Sequence, residues 1–147
     1  MTVIVEILNM DSLEQQKLLL KIVIGAAWVD RHLEPEEIDY FKQLLTQYDF
    51  HLDSELQELL QRPVPVEVTS LEIVQYLKNS TDTERLKLLS AIANMFMADE
   101  NVSEIEHEVL DEYYELMANI PPIPEASPTL VETVGRFVKK LIGSIQV

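Results

Sequence analysis

Two stretches of this chain, 69 residues apart, carry one pattern, and any fold has to house it twice. Residues 19–45 read LLKIVIGAAWVDRHLEPEEIDYFKQLL, and residues 88–114 read LLSAIANMFMADENVSEIEHEVLDEYY. In each copy an apolar helix runs into a short acidic loop, and a second helix leaves it. Repeats of this kind decide the fold before any residue-level reading does. The first helix of each copy is apolar nearly all round, which requires burial on most sides. Two such helices cannot both be peripheral. They are expected to pack against each other at the centre, with a pseudo-two-fold axis relating the copies.

Capping signals divide the rest. Asp11-x-x-Glu14 predicts a helix start, and the helix it opens should run to about Asp30. Pro35 suits a first helical position, with Glu36 and Glu37 at the positive end of the dipole, for a helix reaching about Asp49. Asp53 predicts a short helix from Ser54 to Gln61, ended by Pro63-Val64-Pro65. Thr69 or Ser70 should open another, to about Lys78. Thr81-x-x-Glu84 and Ser103-x-x-Glu106 are capping boxes that open the two helices of the second copy, the last ending near Asn119. Pro121-Pro122-Ile123-Pro124 reads as a stiff extended segment, and Ser127-Pro128 caps a final helix. No segment alternates as a strand would, and Met1–Leu8, rich in β-branched residues, fits a frayed helix start as well. The expected class is all-α: a compact bundle of about seven helices with an internal helix-loop-helix pseudo-repeat. Its parts are a domain over 1–120 with repeats at about 13–49 and 82–119, a proline-rich linker over 121–128, and an amphipathic helix over 129–147.

Composition narrows the function. The 147 residues contain no cysteine, which excludes disulfides, thiolate metal sites and cysteine nucleophiles. Three glycines are too few for a phosphate-cradling loop, and no nucleophile elbow is present. A net charge of −15 opposes nucleic-acid binding, because the phosphate backbone is repelled. It suits cations or a basic protein surface as partners, or solubility alone. MTVIVEILNMDS lacks a basic region and a cleavage site, so no signal peptide is expected and a cytoplasmic location fits.

Both loops carry Asp-x-x-apolar-x-x-x-Glu: Asp30, Leu33 and Glu37, then Asp99, Val102 and Glu106. The apolar residue would anchor each loop to the core and let both carboxylates turn to one side. Hard divalent cations (Ca²⁺, Mg²⁺, Mn²⁺, or Zn²⁺ at the softer limit) take oxygen ligands from such a corner. The spacing matches the second half of an EF-hand loop, but Ala26, Trp28, Met95 and Met97 stand where its first half needs acids, so an EF-hand is rejected. A weaker site of two carboxylates and waters stays open. So does plain capping, since Glu37 and Glu106 fall at the N3 position of their helices. Trp28, Met95 and Met97 are expected in the core by their spacing.

Two weaker metal readings rest on Glu104 and His107. Glu104-x-x-His107 matches one element of a di-iron carboxylate bundle, but its counterparts in the first copy are Pro35 and Ile38. His107-Glu108-Val109-Leu110-Asp111 resembles a zinc-protease motif with Asp in place of the second His. A surface position on an acidic helix is the plainer reading of His107.

The end of the chain breaks the charge pattern. Between Ala126 and Val147, Arg136, Lys139 and Lys140 face only Glu132. Leu130, Val134, Phe137, Leu141 and Ile145 form one apolar stripe there. Arg136, Phe137, Lys139 and Lys140 would suit a partner groove or the anionic inner face of a membrane. The alternative is that this helix docks on the acidic body and completes the core.

The repeated AAWVDRHLEPEE and ANMFMADENVSEIE resemble the TerB family, named for tellurite resistance, over about Leu13 to Met117. The family signature is an Ala-rich helix followed by Asp-Gly-x-[Ile/Val]-x-x-x-Glu. Arg31 and Glu100 stand where the glycine belongs. The resemblance implies an all-helical cytoplasmic domain without catalysis, a stress or metal-resistance role, and membrane-bound or calcium-binding Ter proteins as partners. It also implies that metal binding, if present, falls on Asp30, Glu37, Asp99 and Glu106. A homodimer is compatible with it.

Overall fold

The computed structural model describes the backbone of residues 2–98 and 102–124, and side chains from residue 13 onward. Six α-helices and no strand occur among the described residues, so the all-α class holds. They are α1 (Thr2–Ala27), α2 (Pro35–Gln47), α3 (Ser54–Gln61), α4 (Val66–Lys78), α5 (Asp82–Met97) and α6 (Glu104–Asn119). A 3₁₀ turn, Trp28–Asp30, follows α1. The expected final helix over 129–147 lies outside the described residues.

Two starts differ from expectation. Asp11 lies inside α1, which begins at Thr2. No glycine or proline interrupts that stretch, and its β-branched residues cost only tenths of a kcal/mol each, about 0.5 on average. A helix already held by its packed half extends through such residues, because elongation is easier than nucleation. Helix α4 begins at Val66, with Pro65 as its N-cap. The Pro65 carbonyl accepts from Val68 N–H at 3.1 Å and Thr69 N–H at 3.4 Å, so the helix starts where the proline segment stops. The boxes at Thr81/Glu84 and Ser103/Glu106 form as expected.

Helices α1 and α5 pack against each other, as the two apolar helices predicted. Leu19, Leu20, Ile22, Val23 and Ile24 of α1 meet Leu88, Ile92, Met95 and Phe96 of α5 in one buried cluster. Each large apolar side chain so buried stabilises the fold by roughly 1.5–3 kcal/mol. Met97 is an exception to its expected core position, being exposed at the end of α5. Helix α4 runs antiparallel to α1. Gln15 Nε2 donates to the carbonyls of Tyr76 (3.3 Å) and Asn79 (3.1 Å) near one end, and Gly25 lies against Thr69 near the other. Helix α2 leans on α5, and α6 packs on the Trp28–Asp30 turn, α4 and α5. Among the described residues no helix is long and apolar enough to cross a membrane.

A chain of ion pairs ties α1 to α3 and α4. Lys17 Nζ lies 2.8 Å from both Asp53 Oδ2 and Glu55 Oε2, while Lys21 Nζ lies 3.1 Å from Glu55 Oε1 and 3.6 Å from Glu72 Oε2. Lys17 holds Asp53 and Glu55 below the usual carboxylate range. These pairs are partly exposed, and each is worth at most about 1 kcal/mol. Glu72 behaves oppositely: burial raises its pKa, and the longer Lys21 contact does not reverse this. A raised folded pKa favours the fold below the ordinary carboxyl pKa and loses that contribution as pH rises through the folded value. Glu72→Gln is therefore expected to raise the melting temperature at neutral pH, by less than about 1 kcal/mol in stability because the Lys21 contact is lost too. The gain should fade as the pH drops through the ordinary carboxyl range and vanish near about pH 3, where both states are protonated. Melting curves at the two pH values check this, and a loss of stability at neutral pH would show that the Lys21 pair outweighs burial.

Candidate functional site

The first acidic loop is built by its own backbone. Arg31 N–H donates to the Trp28 carbonyl at 2.8 Å, closing the 3₁₀ turn. Asp30 Oδ1 accepts from His32 N–H at 3.1 Å, a local turn that a short acidic side chain makes readily. Leu33 then packs on the core as expected. Glu37 Oε1 accepts from Glu34 N–H at 3.0 Å, satisfying a helix-end donor. Glu37 is only 3 % exposed.

Arg31 adopts φ 67° and ψ 12°, the left-handed conformation. That is the backbone shape for which a glycine is ordinarily used, so the loop keeps the glycine conformation without the glycine. A non-glycine residue there costs roughly 1–2 kcal/mol. Arg31→Gly is expected to stabilise the fold by about 1 kcal/mol, the glycine's greater unfolded-state entropy offsetting the rest. Urea unfolding measures it. A loss of stability would mean that the Arg31 side chain holds the loop.

The second loop is built alike where it is described. Ser103 N–H donates to Glu106 Oε1 at 2.9 Å, and Glu106 N–H donates to Ser103 Oγ at 3.2 Å. Glu106 is 4 % exposed. Asp99 lies outside the described residues. Val102 does not anchor its loop as Leu33 does, since it is exposed. The two loops thus share their buried glutamates and differ in their apolar anchors.

Glu104 and His107 sit on the exposed side of α6. Among the described residues, no group of three His, Asp or Glu side chains gathers as a metal site would. Arg136, Phe137, Lys139 and Lys140 lie outside the described residues. Trp28, half-buried, donates its indole Nε1–H to the Leu59 carbonyl at 2.8 Å and so fastens the first loop to α3.

Two features escaped the sequence reading. The first is Arg85, 4 % exposed on α5. Its guanidinium donates to Ser80 Oγ (3.0 Å), the Leu77 carbonyl (2.9 Å) and the Met117 carbonyl (3.3 Å). Those carbonyls stand at the C-terminal ends of α4 and α6, where the helix dipole favours a cation. Tyr113, buried nearby, donates its hydroxyl to the Arg85 carbonyl at 2.7 Å, and burial pushes its pKa up. The second is a groove of about 440 Å³ between α5 and α6, lined mainly by Leu86, Tyr114, Met117, Ala118 and Pro122. A more polar recess on the other flank of α5 runs between it and α2, where Tyr40 meets Asn94.

The outward face of α6 is acidic, and the helix carries no Lys or Arg. Glu104, Glu108, Asp111, Glu112 and Glu115 are exposed on it, with Ile105 and Tyr114 among them. None of these five acids forms an ion pair among the described residues. Comparison with protein-family models, curated proteins and solved structures found no match.

Proposed function

We propose that this chain is a non-enzymatic binding module of the TerB type that engages a basic protein surface through the acidic face of α6. The observation that carries this reading is a division of labour among carboxylates. Glu37, Glu106 and Asp30 accept from backbone N–H groups of their own loops, whereas the exposed acids Glu104, Glu108, Asp111, Glu112 and Glu115 of α6 form no ion pair among the described residues. A row of carboxylates unpaired among the described residues, beside exposed Tyr114 and Ile105, provides electrostatic steering and apolar contact together. A stress or metal-resistance setting, with Ter proteins as the partner class, comes from the TerB resemblance. In this reading the hairpins α1–α2 and α5–α6 are two copies about a pseudo-two-fold axis. The mutual packing of α1 and α5 supports it, as does the way α2 lies on α5 while α6 lies on the Trp28–Asp30 turn that follows α1.

A second reading has one specific observation in its favour: two buried carboxylates, Glu37 and Glu106, at matched positions in the two loops. A divalent cation near them would neutralise charge, stiffen both hairpins and stabilise the fold by mass action. Two experiments separate the readings. Charge reversal at Glu108, Glu112 and Glu115 should abolish salt-sensitive partner cross-linking in cells if α6 is the docking face. An unchanged set of partners would sink that assignment. Melting chelator-stripped protein with Ca²⁺, Mg²⁺, Mn²⁺ or Zn²⁺ should leave the midpoint unmoved under the first reading. A selective rise that disappears on Asp30→Asn with Asp99→Asn would establish the second.

A further inference from the structure

The start of α5 and the end of α6 lie side by side and leave an apolar groove between them. Leu86, 62 % exposed, stands on one side, and exposed Tyr114 and Ala118 stand on the other, with Met117 and Pro122 completing it. Large apolar side chains grouped in a concave surface mark a contact site. The base of the groove is fixed by hydrogen bonds. Arg85, which also lines it, donates to the Met117 carbonyl at 3.3 Å and to Ser80 Oγ at 3.0 Å. Ile123 N–H donates to the Ser80 carbonyl at 3.0 Å. These bonds hold α5, the end of α6 and the proline segment in one arrangement. A ligand therefore meets a preformed shape and needs little ordering of the site.

Shape and charge together identify an occupant. On α6, Asp111, Tyr114 and Ala118 follow at spacings of three and four, so they share one side of the helix. On α5, Asp82 and Leu86 are four apart and do the same. Because the start of α5 lies beside the end of α6, Asp82 stands at one end of the apolar stretch and Asp111 at the other. Both are exposed, and neither forms an ion pair among the described residues. The stretch from Asp111 to Ala118 covers two turns, about 10 Å of helix. An apolar trough of that length with an acid at each end complements a helix that carries apolar residues one and two turns apart, flanked by Lys or Arg. The same acids oppose other occupants. A second copy of a chain with net charge −15, an anionic lipid surface and a nucleic acid would all be repelled.

We propose that the groove between α5 and α6 is the seat of a basic amphipathic helix of a partner protein. The apolar stripe of that helix packs on Leu86, Tyr114 and Met117, and its Lys or Arg residues meet Asp82 and Asp111. The proposal rests on the reading of α6 as an acidic docking face and adds the form of the partner, a helix with an ordered apolar stripe. Leu86 then supplies specificity, since acids alone attract any basic surface whatever its shape.

The probe is a synthetic peptide of leucine, lysine and alanine about five turns long. One version carries its leucines on one helical face, and an isomer of the same composition and charge scatters them. Fluorescence anisotropy with the full-length chain at physiological salt should show the first binding at least about tenfold tighter, as one or two apolar side chains leave water. Leu86→Asp separates the causes by sign. It adds an acid, so charge attraction alone would tighten both peptides. Loss of the apolar wall should instead weaken the amphipathic peptide by about tenfold and erase its advantage. Tyr114→Asp should act likewise, and Leu71→Asp, at an exposed position of α4, should not. All three positions are exposed, so none of these changes burdens folding, which melting curves check.

Equal binding of the two peptides, or a preference that survives Leu86→Asp and Tyr114→Asp, would overturn the proposal. If charge reversal at Glu108, Glu112 and Glu115 still weakened both peptides, the docking role of α6 would stand without it. A preference lost on Leu86→Asp, with affinities indifferent to that reversal and to Asp82→Asn with Asp111→Asn, would overturn both readings. Leu86→Cys labelled with a benzophenone maleimide then reports the occupant, because the chain has no other thiol. Photolysis should join the label to the amphipathic peptide. A product with another copy of the chain, or with a distant part of its own chain that the peptide fails to displace, would overturn the proposal in favour of that occupant.

Discussion

Replacing Gly25 with alanine is expected to destabilise this protein by about 2–3 kcal/mol, against the helix-propensity gain of about 1 kcal/mol that the same change ordinarily brings. The sign comes from the crossing of α1 and α4. A Cβ built at Gly25 would overlap Thr69 Oγ1, and it would lie 3.1 Å from both Thr69 Cβ and Cγ2. Threonine is stiff about χ1, so rotation does not readily clear the space. The helices would have to separate, loosening contacts along their whole shared face. A compensating change sharpens the test. Thr69 Oγ1 is buried and has no hydrogen-bond partner among the described residues, so Thr69→Ala removes an unsatisfied hydroxyl as well as a methyl. The first is worth roughly 1–3 kcal/mol in favour of the variant, the second about 1 kcal/mol against it, and the single change should be close to neutral. In the Thr69→Ala background, Gly25→Ala should lose most of its cost. Urea unfolding of the four proteins in this cycle gives the coupling energy, and additive effects would refute the proposed contact.

The same crossing shows where the sequence was legible and where it was not. Local chemistry was readable. Asp53 caps α3, the Thr81/Glu84 and Ser103/Glu106 boxes open α5 and α6, and Pro63 and Pro65 bound the segment between α3 and α4. Each of these depends on a few adjacent residues. Helix starts that depend on distant packing were not readable. Asp11-x-x-Glu14 has the form of a cap, yet the same residues are tolerated within a helix whose far half is held by the core. At the site, the carboxylate spacing led to the two capping glutamates but not to their burial. The left-handed turn at Arg31 ran against the residue type, because the surrounding turn fixes that conformation whatever side chain occupies it. Leu33 and Val102 hold one position in the pattern and differ in burial, since the cover over each is set by other helices. Arg85 was within reach. It falls at apolar spacing with Leu88, Ile92 and Met95, and a charge in a buried register demands partners.

Those partners make Arg85→Met the second large effect, an expected loss of about 3–4 kcal/mol. Methionine nearly matches the apolar stem of arginine, so cavity formation contributes little. The cost comes from the groups left behind. Ser80 Oγ would lose its guanidinium donor, and the Leu77 carbonyl would lose one of its donors while keeping the Ser80 hydroxyl at 2.9 Å and the Ser80 N–H at 3.3 Å. The Met117 carbonyl would lose its bond from the guanidinium as well. Hydrogen bonds from a charged donor are worth roughly 1.5–3 kcal/mol each, and stranding a buried acceptor costs 1–3 kcal/mol. Removing the desolvated charge returns part of this, which keeps the total below the simple sum. Arg85→Lys should recover only a fraction, because one ammonium cannot reach three acceptors laid out for a planar fork. The loss should be nearly independent of pH from mild acid to neutrality, as no carboxylate is among the partners within the described residues, in contrast to the Glu72 variant. The midpoint in urea should fall with the slope unchanged. A shallower slope would show instead that Arg85 clamps the ends of α4 and α6, so that without it part of the bundle opens before the rest. A loss below about 1 kcal/mol would mean that water replaces the guanidinium at these carbonyls.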